Sequence, residues 1–305
     1  MLEQNSREDF CFGGDTLNSA LYLARVAPKG QIKVNYATAV GRNEASLKLI
    51  EMWQKESINT SFVSQINDKD LGTYSISNNE VGERSFTYNR SESAAKYYLQ
   101  YPNKTFEDAL KTKSVDCFYF SGISLAILSD QDCEYLFKLL NIFKGKGGQI
   151  FFDNNYRPVL WGNRQPQPFY ERAMQLADIA FLTDEDEYAI FGSNTIESIL
   201  KRYPLLSDKL GTELIIKQGS KPCLIRSKLK GEGLLHVSSP SLSEAEIIDT
   251  CAAGDAFAAG YLSRRLLGCN AIKSADFAHQ LAGRVILYHG AIISLDKMND
   301  LVELN

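Results

Sequence analysis

No stretch of this 305-residue chain holds the roughly 18 consecutive apolar residues that a membrane-spanning helix needs. No two cysteines stand in C-x-x-C spacing. Cys11, Cys117, Cys133, Cys223, Cys251 and Cys269 are scattered, and only His236, His279 and His289 could assist them. That pattern argues against a structural zinc site and for a reducing compartment. An excess of positive charge is also missing. The 33 Lys and Arg face 37 Asp and Glu, a net charge of −4, which argues against a general nucleic-acid binder. Residues 1–9 contain no apolar core and do not read as a signal peptide. No internal repeat or low-complexity segment interrupts the chain. The expectation is a cytoplasmic protein whose partners are small molecules, with neither membrane nor nucleic acid among them.

What is present fits one α/β domain spanning 1–305. Hydrophobic residues make up 44% and charged residues 23%, a globular composition. Strand-like apolar runs at 32–40, 115–120, 149–152, 179–182 and 213–217 alternate with helix-length stretches at 16–26, 46–55, 130–144 and 169–176. Such alternation predicts a mostly parallel sheet with helices on both faces. Residues 72–77 and 84–90 break the rhythm: they are β-prone and flank a polar turn, the signature of a hairpin.

The densest chemical signal is Asp249-Thr250-Cys251-Ala252-Ala253-Gly254-Asp255-Ala256-Phe257. An apolar pair, Ile247 and Ile248, leads into small residues, a carboxylate and an apolar surface. This predicts a strand, a tight turn and the start of a buried helix. Small side chains at a helix N-terminus leave backbone N–H groups open to an anion. Asp255 in that first turn could accept a proton from a hydroxyl attacking a phosphoryl group. An ordinary helix start, with Asp255 only complementing the dipole, fits the same residues. Cys251 reads either as a thiol activated by the helix N-terminus or as a small space-filling residue.

This stretch resembles the D-T-x-G-A-G-D-x-F signature of the ribokinase-like (PfkB) sugar kinases, with Ala252 in place of the usual first glycine. Gly13-Gly14-Asp15-Thr16-Leu17-Asn18-Ser19-Ala20 is similar to that family's G-G-x-x-x-N-x-A. Phe120-Ser121-Gly122-Ile123-Ser124-Leu125, Phe152-Asp153-Asn154-Asn155-Tyr156-Arg157-Pro158 and Trp161 resemble its 2-dehydro-3-deoxygluconate kinase branch. The resemblance runs over essentially the whole chain. It implies a three-layer sandwich with a mostly parallel central sheet, and a small β-sheet lid built from about 1–13 and 70–92. It also implies ATP-dependent phosphorylation of a sugar acid at its terminal hydroxyl, with Mg²⁺, in sugar-acid breakdown feeding the Entner–Doudoroff route.

The same resemblance suggests roles. Asp255 is the general base, and Ala252, Ala253 and Gly254 offer N–H groups to the developing charge, the glycine replacement at Ala252 being tolerable at negative φ. Gly14, Asp15 and Asn18 receive sugar hydroxyls, Tyr74 and Tyr88 wall the acceptor, and Arg90 and Arg157 engage the acid's carboxylate. Asn155, Arg157, Lys217, Gly219, Ser220 and Gly254 line the ATP. Asp186, in Thr183-Asp184-Glu185-Asp186, stands near where the family's metal-associated N-x-x-E falls, and it departs from that pattern. Met1-Leu2-Glu3 resembles the tail of the family's opening strand, so a core strand is expected to be missing, with Met1 an internal start. Assembly into a homo-oligomer through the lid is a further expectation. A fructokinase- or ribokinase-type enzyme, or a non-catalytic sugar-binding protein on the same fold, is the alternative.

Overall fold

A computed structural model describes residues 2–4, 10–78, 84–101, 103–204, 211–227, 233–240 and 242–303; within 2–11, 74–89 and at 303 it describes the backbone. The described strands, in chain order, are β1 (Leu2–Gln4), β2 (Phe10–Phe12), β3 (Thr38–Val40), β4 (Val63–Gln65), β5 (Thr73–Asn78), β6 (Arg84–Asn89), β7 (Cys117–Ser121), β8 (Gln149–Asp153), β9 (Ile179–Thr183), β10 (Glu213–Lys217), β11 (Cys223–Ser227) and β12 (Leu234–Val237). They form a six-stranded sheet in the order β12-β11-β10-β9-β8-β7, a four-stranded sheet in the order β2-β1-β5-β6, and the pair β3-β4. From β7 to β10 every pairing is parallel, while β11 and β12 add on antiparallel. The central sheet is therefore mixed, its parallel part being the part that carries the site.

Alternation along these strands decides the layering. Ile150 and Phe152 turn to one face and Phe151 to the other; Ala180 and Leu182 oppose Ile179 and Phe181; Leu214 and Ile216 oppose Ile215. All are buried, so both faces need a cover. The first face packs on the helices Asp130–Gly145 and Gln167–Leu176 through Leu136, Phe137, Tyr170 and Met174. The second packs on Ala253–Arg265 and Ala271–Val285 through Phe257, Tyr261, Ala275 and Ala278. These two helices lie so close that a Cβ on Gly260 would come 2.9 Å from the Cα of Ala278.

A further apolar cluster joins the helix Asp15–Val26 to Ala253–Arg265 through Leu17, Leu21, Ala256 and Ala259. Two helix N-termini, one opening on Asp15 and one carrying Asp255, are thereby brought together. The hairpin is seen as β5 and β6, antiparallel with Tyr74 opposite Tyr88. It joins β1 and β2 in the four-stranded sheet.

One sequence expectation is cut short. Of the apolar run 32–40 only Thr38–Val40 is strand, although Asn35 still bridges Asn59 and the Tyr36 N–H donates to the Asn59 carbonyl. A cavity of about 770 Å³ separates segment 30–37 from the outer edge of β7, and its lining includes Thr16, Ser19, Tyr36, Tyr119 and Phe151. Among the described residues no strand pairs with that edge of β7. An extended apolar segment of about six residues, roughly 20 Å long, is the kind of element that satisfies two such edges. Fusing one ahead of Met1, or adding it as a peptide, is expected to raise Tm by several degrees in calorimetry. Unchanged Tm in both formats would show that the cavity does not take a strand.

Candidate active site

The turn before Asp255 is fixed by its neighbour carboxylate. Asp249 accepts the Cys251 N–H at 2.9 Å on one oxygen and the Gly290 N–H at 2.9 Å on the other. The N–H groups of Ile248 and Asp249 both donate to the Ile286 carbonyl. The chain then reverses through Ala252, whose φ of 60° and ψ of 11° are left-handed. The condition of a negative φ, under which the alanine would be tolerated freely, is thus not met. Ala252 is the N-cap of the helix Ala253–Arg265, and a β-carbon in the left-handed region is strained by about 1 kcal/mol or more. The anion-hole expectation also narrows. The Ala253 N–H already donates to the Thr250 carbonyl at 3.2 Å, whereas those of Ala252 and Gly254 have no acceptor among the described residues. Cys251 is exposed beside this turn.

Asp255 itself is 9% exposed. Asn18 donates from Nδ2 to its Oδ2 at 2.8 Å, and Ser19 Oγ donates to its backbone carbonyl at 3.2 Å. Burial, together with the nearby charges of Asp15 and Asp153, pushes its carboxyl up to about 8; the Asn18 hydrogen bond and Lys217 pull the other way. Asp15, half-buried at the head of the other helix, accepts from Ser121 Oγ and, at 3.5 Å, from Asn155 Nδ2. Burial raises its pKa as well, and the Ser121 hydrogen bond opposes the rise.

Lys217 ends β10 and reaches across to Asp153 at the end of β8, Nζ to Oδ2 at 2.9 Å. Its Nζ would lie 3.4 Å from a Cβ on Gly254, so the cation sits against the turn that carries Asp255. Parallel strands deliver both residues to the same end of the sheet, where open α/β sheets place their ligands. Asp186, in the first turn of the helix Asp184–Phe191, is raised by burial, with the Tyr156 backbone, Arg157 and Lys217 acting against the rise. Arg157 Nη1 donates to the Tyr156 carbonyl at 2.8 Å, and its charge lowers both Asp15 and Asp186.

The loop bearing Asn155 and Arg157 is itself anchored from below. Asn154, fully buried, receives the Thr183 N–H at 3.0 Å on Oδ1 and donates from Nδ2 to Glu187 at 3.4 Å. Glu187, also fully buried, is held by Arg202 at 2.5 Å and by the Tyr203 hydroxyl at 3.1 Å. On the other side Gly122 presses on the loop: a Cβ there would lie 2.3 Å from the Asn154 carbonyl oxygen.

Asp15, Asn18, Asn155, Arg157, Asp186, Lys217, Gly254 and Asp255 therefore share one locality. Gly14 belongs to it through its N–H, which donates to Asn18 Oδ1 at 3.2 Å. Gly219 and Ser220 lie on the exposed turn that follows Lys217, where Gln218 donates to Asp184 at 3.5 Å. Arg90 follows β6 with its Cβ against the Gly72 position. Tyr74 and Tyr88 are cross-strand partners whose side chains lie outside the described set. Sequence reasoning missed Asp153 and Glu187 as site members, although Asp153 stood inside a quoted motif. Its signal was position: it ends an apolar strand at the end of the sheet where Lys217 also emerges. Among the described residues no helix is long and apolar enough to cross a membrane.

The sequence model of the pfkB family carbohydrate kinases matches residues 2–298. The 2-dehydro-3-deoxygluconokinase of Escherichia coli (strain K12) is 39% identical over 288 residues, covering 94% of this chain and 91% of that protein. The 2-dehydro-3-deoxygluconokinase of Dickeya dadantii (strain 3937) is 40% identical over 290 residues, with 94% and 91% covered. Among solved structures, one described as a ribokinase II of E. coli in complex with ATP and Mg²⁺ superposes with a TM-score of 0.77 at 19% identity, covering 100% of this chain and 96% of that one.

The strained N-cap gives a direct test. Ala252→Gly removes the β-carbon at φ 60° and is expected to raise unfolding free energy by about 0.5 kcal/mol, after the added freedom of the unfolded chain is counted. Ala252→Val should lower it by about 2 kcal/mol, since β-branching is least tolerated there. Urea titration of the three proteins decides it; the reverse order would contradict the left-handed turn.

Proposed function

The chain belongs to the pfkB family of carbohydrate kinases, and from that premise we propose that it phosphorylates 2-dehydro-3-deoxy-D-gluconate on the terminal hydroxyl, using ATP, to give the 6-phospho product. The observation that carries the chemistry is Asp255, buried in the first turn of a helix, tethered by Asn18 and facing Lys217 across the Gly254 turn. The sugar-acid assignment leans on the relatives of that name at about 39–40% identity over nearly the whole chain.

In this reading the acceptor hydroxyl gives its proton to Asp255 as its oxygen bonds to the γ-phosphorus. The bond from that phosphorus to the bridging oxygen breaks, and ADP leaves. Lys217 and the open N–H groups of Ala252 and Gly254 meet the charge that builds on the phosphoryl oxygens, the dominant contribution in this class of reaction. Asn155, Gly219 and Ser220 line the nucleotide. Gly14 and Asp15 take sugar hydroxyls, Tyr74 and Tyr88 wall them in, and Arg90 and Arg157 meet the carboxylate with forked, charge-assisted hydrogen bonds. The sheet β2-β1-β5-β6 is the lid, and excluding water under it keeps hydrolysis from competing.

Among the described residues no three carboxylates, thiols or imidazoles are grouped so as to cage a metal ion. Mg²⁺ is usually held by one or two carboxylates, substrate phosphates and water. Asp186 and Asp153 are the carboxylates that would meet it, and when bound it neutralises phosphate charge. The same reading has the enzyme working in the cytoplasm, feeding the Entner–Doudoroff route, and self-associating through the lid, which light scattering can check.

A coupled assay of ADP release with 2-dehydro-3-deoxygluconate, fructose and ribose tests the substrate. A kcat/KM for the acid at least tenfold above both neutral sugars is expected, and a preference for fructose or ribose would overturn the sugar-acid assignment. Arg157→Ala should narrow that ratio by one to two decades, as loss of a hydrogen bond to a charged group does.

The pH dependence has a definite sign. A base must be unprotonated to act, so kcat/KM should rise with pH to a midpoint near 8 and level off above it. Stability should move oppositely: a carboxyl raised by burial favours its neutral form when folded, so Asp255 destabilises the fold increasingly as pH climbs from about 4 to about 8. Asp255→Asn is therefore expected to lose about 10² to 10⁴ in kcat while unfolding at higher temperature than the parent at pH 8. Retained turnover in that variant would remove Asp255 from the mechanism.

A further inference from the structure

Asn18 lies 5% exposed between two helix N-termini, and both ends of its side-chain amide have partners. Oδ1 accepts the Gly14 N–H at 3.2 Å while the Asn18 N–H returns to the Gly14 carbonyl at 2.7 Å. That donor fixes which end of the amide is oxygen. The remaining end, Nδ2, points at Asp255 Oδ2 from 2.8 Å. The next residue, Ser19, reaches the carbonyl of the same Asp255. Consecutive side chains on one helix thus grip one residue of another, at its carboxylate and at its backbone.

We infer that Asn18 is a positioning residue for Asp255 and not a ligand of the sugar. This rests on Asp255 being the base. With Oδ2 held by the amide, Oδ1 is the oxygen turned to the acceptor hydroxyl, and rotation of the carboxylate about its last bond is blocked. The amide N–H also favours the ionised form. The other charges facing Asp255 are Asp15 at the head of the same helix as Asn18, Asp153 at the end of β8 and Lys217 at the end of β10. Of these the two acids oppose ionisation, so the amide and Lys217 together keep the base usable.

The test compares kcat, KM for the sugar acid and the pH profile of kcat/KM in the parent, Asn18→Ala, Asn18→Asp and Asp255→Asn. Asn18→Ala is expected to move the acid limb upward by about one pH unit and to lower kcat at pH 7 about tenfold, with sugar KM changed less than about twofold. Asn18→Asp, which sets a carboxylate against a carboxylate, should lose at least about 100-fold in kcat. If the alanine variant does not fold, Asn18→Ser carries the same expectation, because its hydroxyl is too short to reach Oδ2. A sugar KM raised tenfold or more with an unmoved acid limb would make Asn18 a sugar ligand and overturn the inference. An unmoved limb with normal kcat, while Asp255→Asn is inactive, would overturn the positioning role alone; an active Asp255→Asn would overturn the base assignment and this inference with it.

Discussion

Crowding of carboxylates in a half-dry space is the constraint from which the rest of the site follows. Asp15, Asp153, Asp186 and Asp255 share a locality with Lys217 and Arg157, so acids outnumber cations. Desolvation alone would drive protons onto Asp15, Asp186 and Asp255. Each acid accordingly has a named counterweight: Ser121 and Asn155 for Asp15, Lys217 for Asp153, the Tyr156 backbone and Arg157 for Asp186, and Asn18 for Asp255. Whatever negative charge these carboxylates keep opposes an entering polyphosphate, and a divalent cation coming with it offsets that opposition. The dependence on metal expected of this chemistry is in that sense written into the protein's own charges.

Holding these groups in place is the task of buried polar contacts one layer further in. Asn154 ties β8 to β9 through Thr183, and Glu187 ties Asn154 to Arg202 and Tyr203. Burying Glu187 raises its pKa, and it is retained only because several donors surround it. Breaking such a cluster on one side is costly, whereas intact it fixes the loop of Asn155 and Arg157 within narrow limits. Close packing at Gly122 and Gly260 supplies the remaining rigidity, since neither position has room for a methyl group without displacing backbone.

Much of this was legible in the chain because its signals are local. The turn into Asp255, the Gly13-Gly14 helix entrance, the strand-and-helix alternation and the β5–β6 hairpin depend on residues close in sequence. What escaped depends on distance in sequence. Asp153 acquires meaning only when parallel pairing brings β8 alongside β9 and β10, and Glu187 only when Asn154, 33 residues earlier in the chain, packs against it. The left-handed backbone at Ala252 was not legible from the residue type, because alanine suits a negative φ and the Gly290 N–H that helps hold Asp249 in the turn comes from 41 residues further along the chain. Strand 32–40 came out short because a strand needs partners on its edges, and one edge of that run has none among the described residues.

The gap between β3 and β7 also bears on how the molecule comes apart. Where a sheet is continuous, its ladder of backbone hydrogen bonds must be lost together. Here the β3–β4 pair is joined to the six-stranded sheet through side-chain packing of the helix Asp15–Val26 rather than through such a ladder. Contacts of that kind yield piecemeal, so the region around β3 and β4 forms a weaker cooperative unit than β8 to β10. Amide hydrogens of β3 and β4 are therefore expected to exchange before those of β8 to β10.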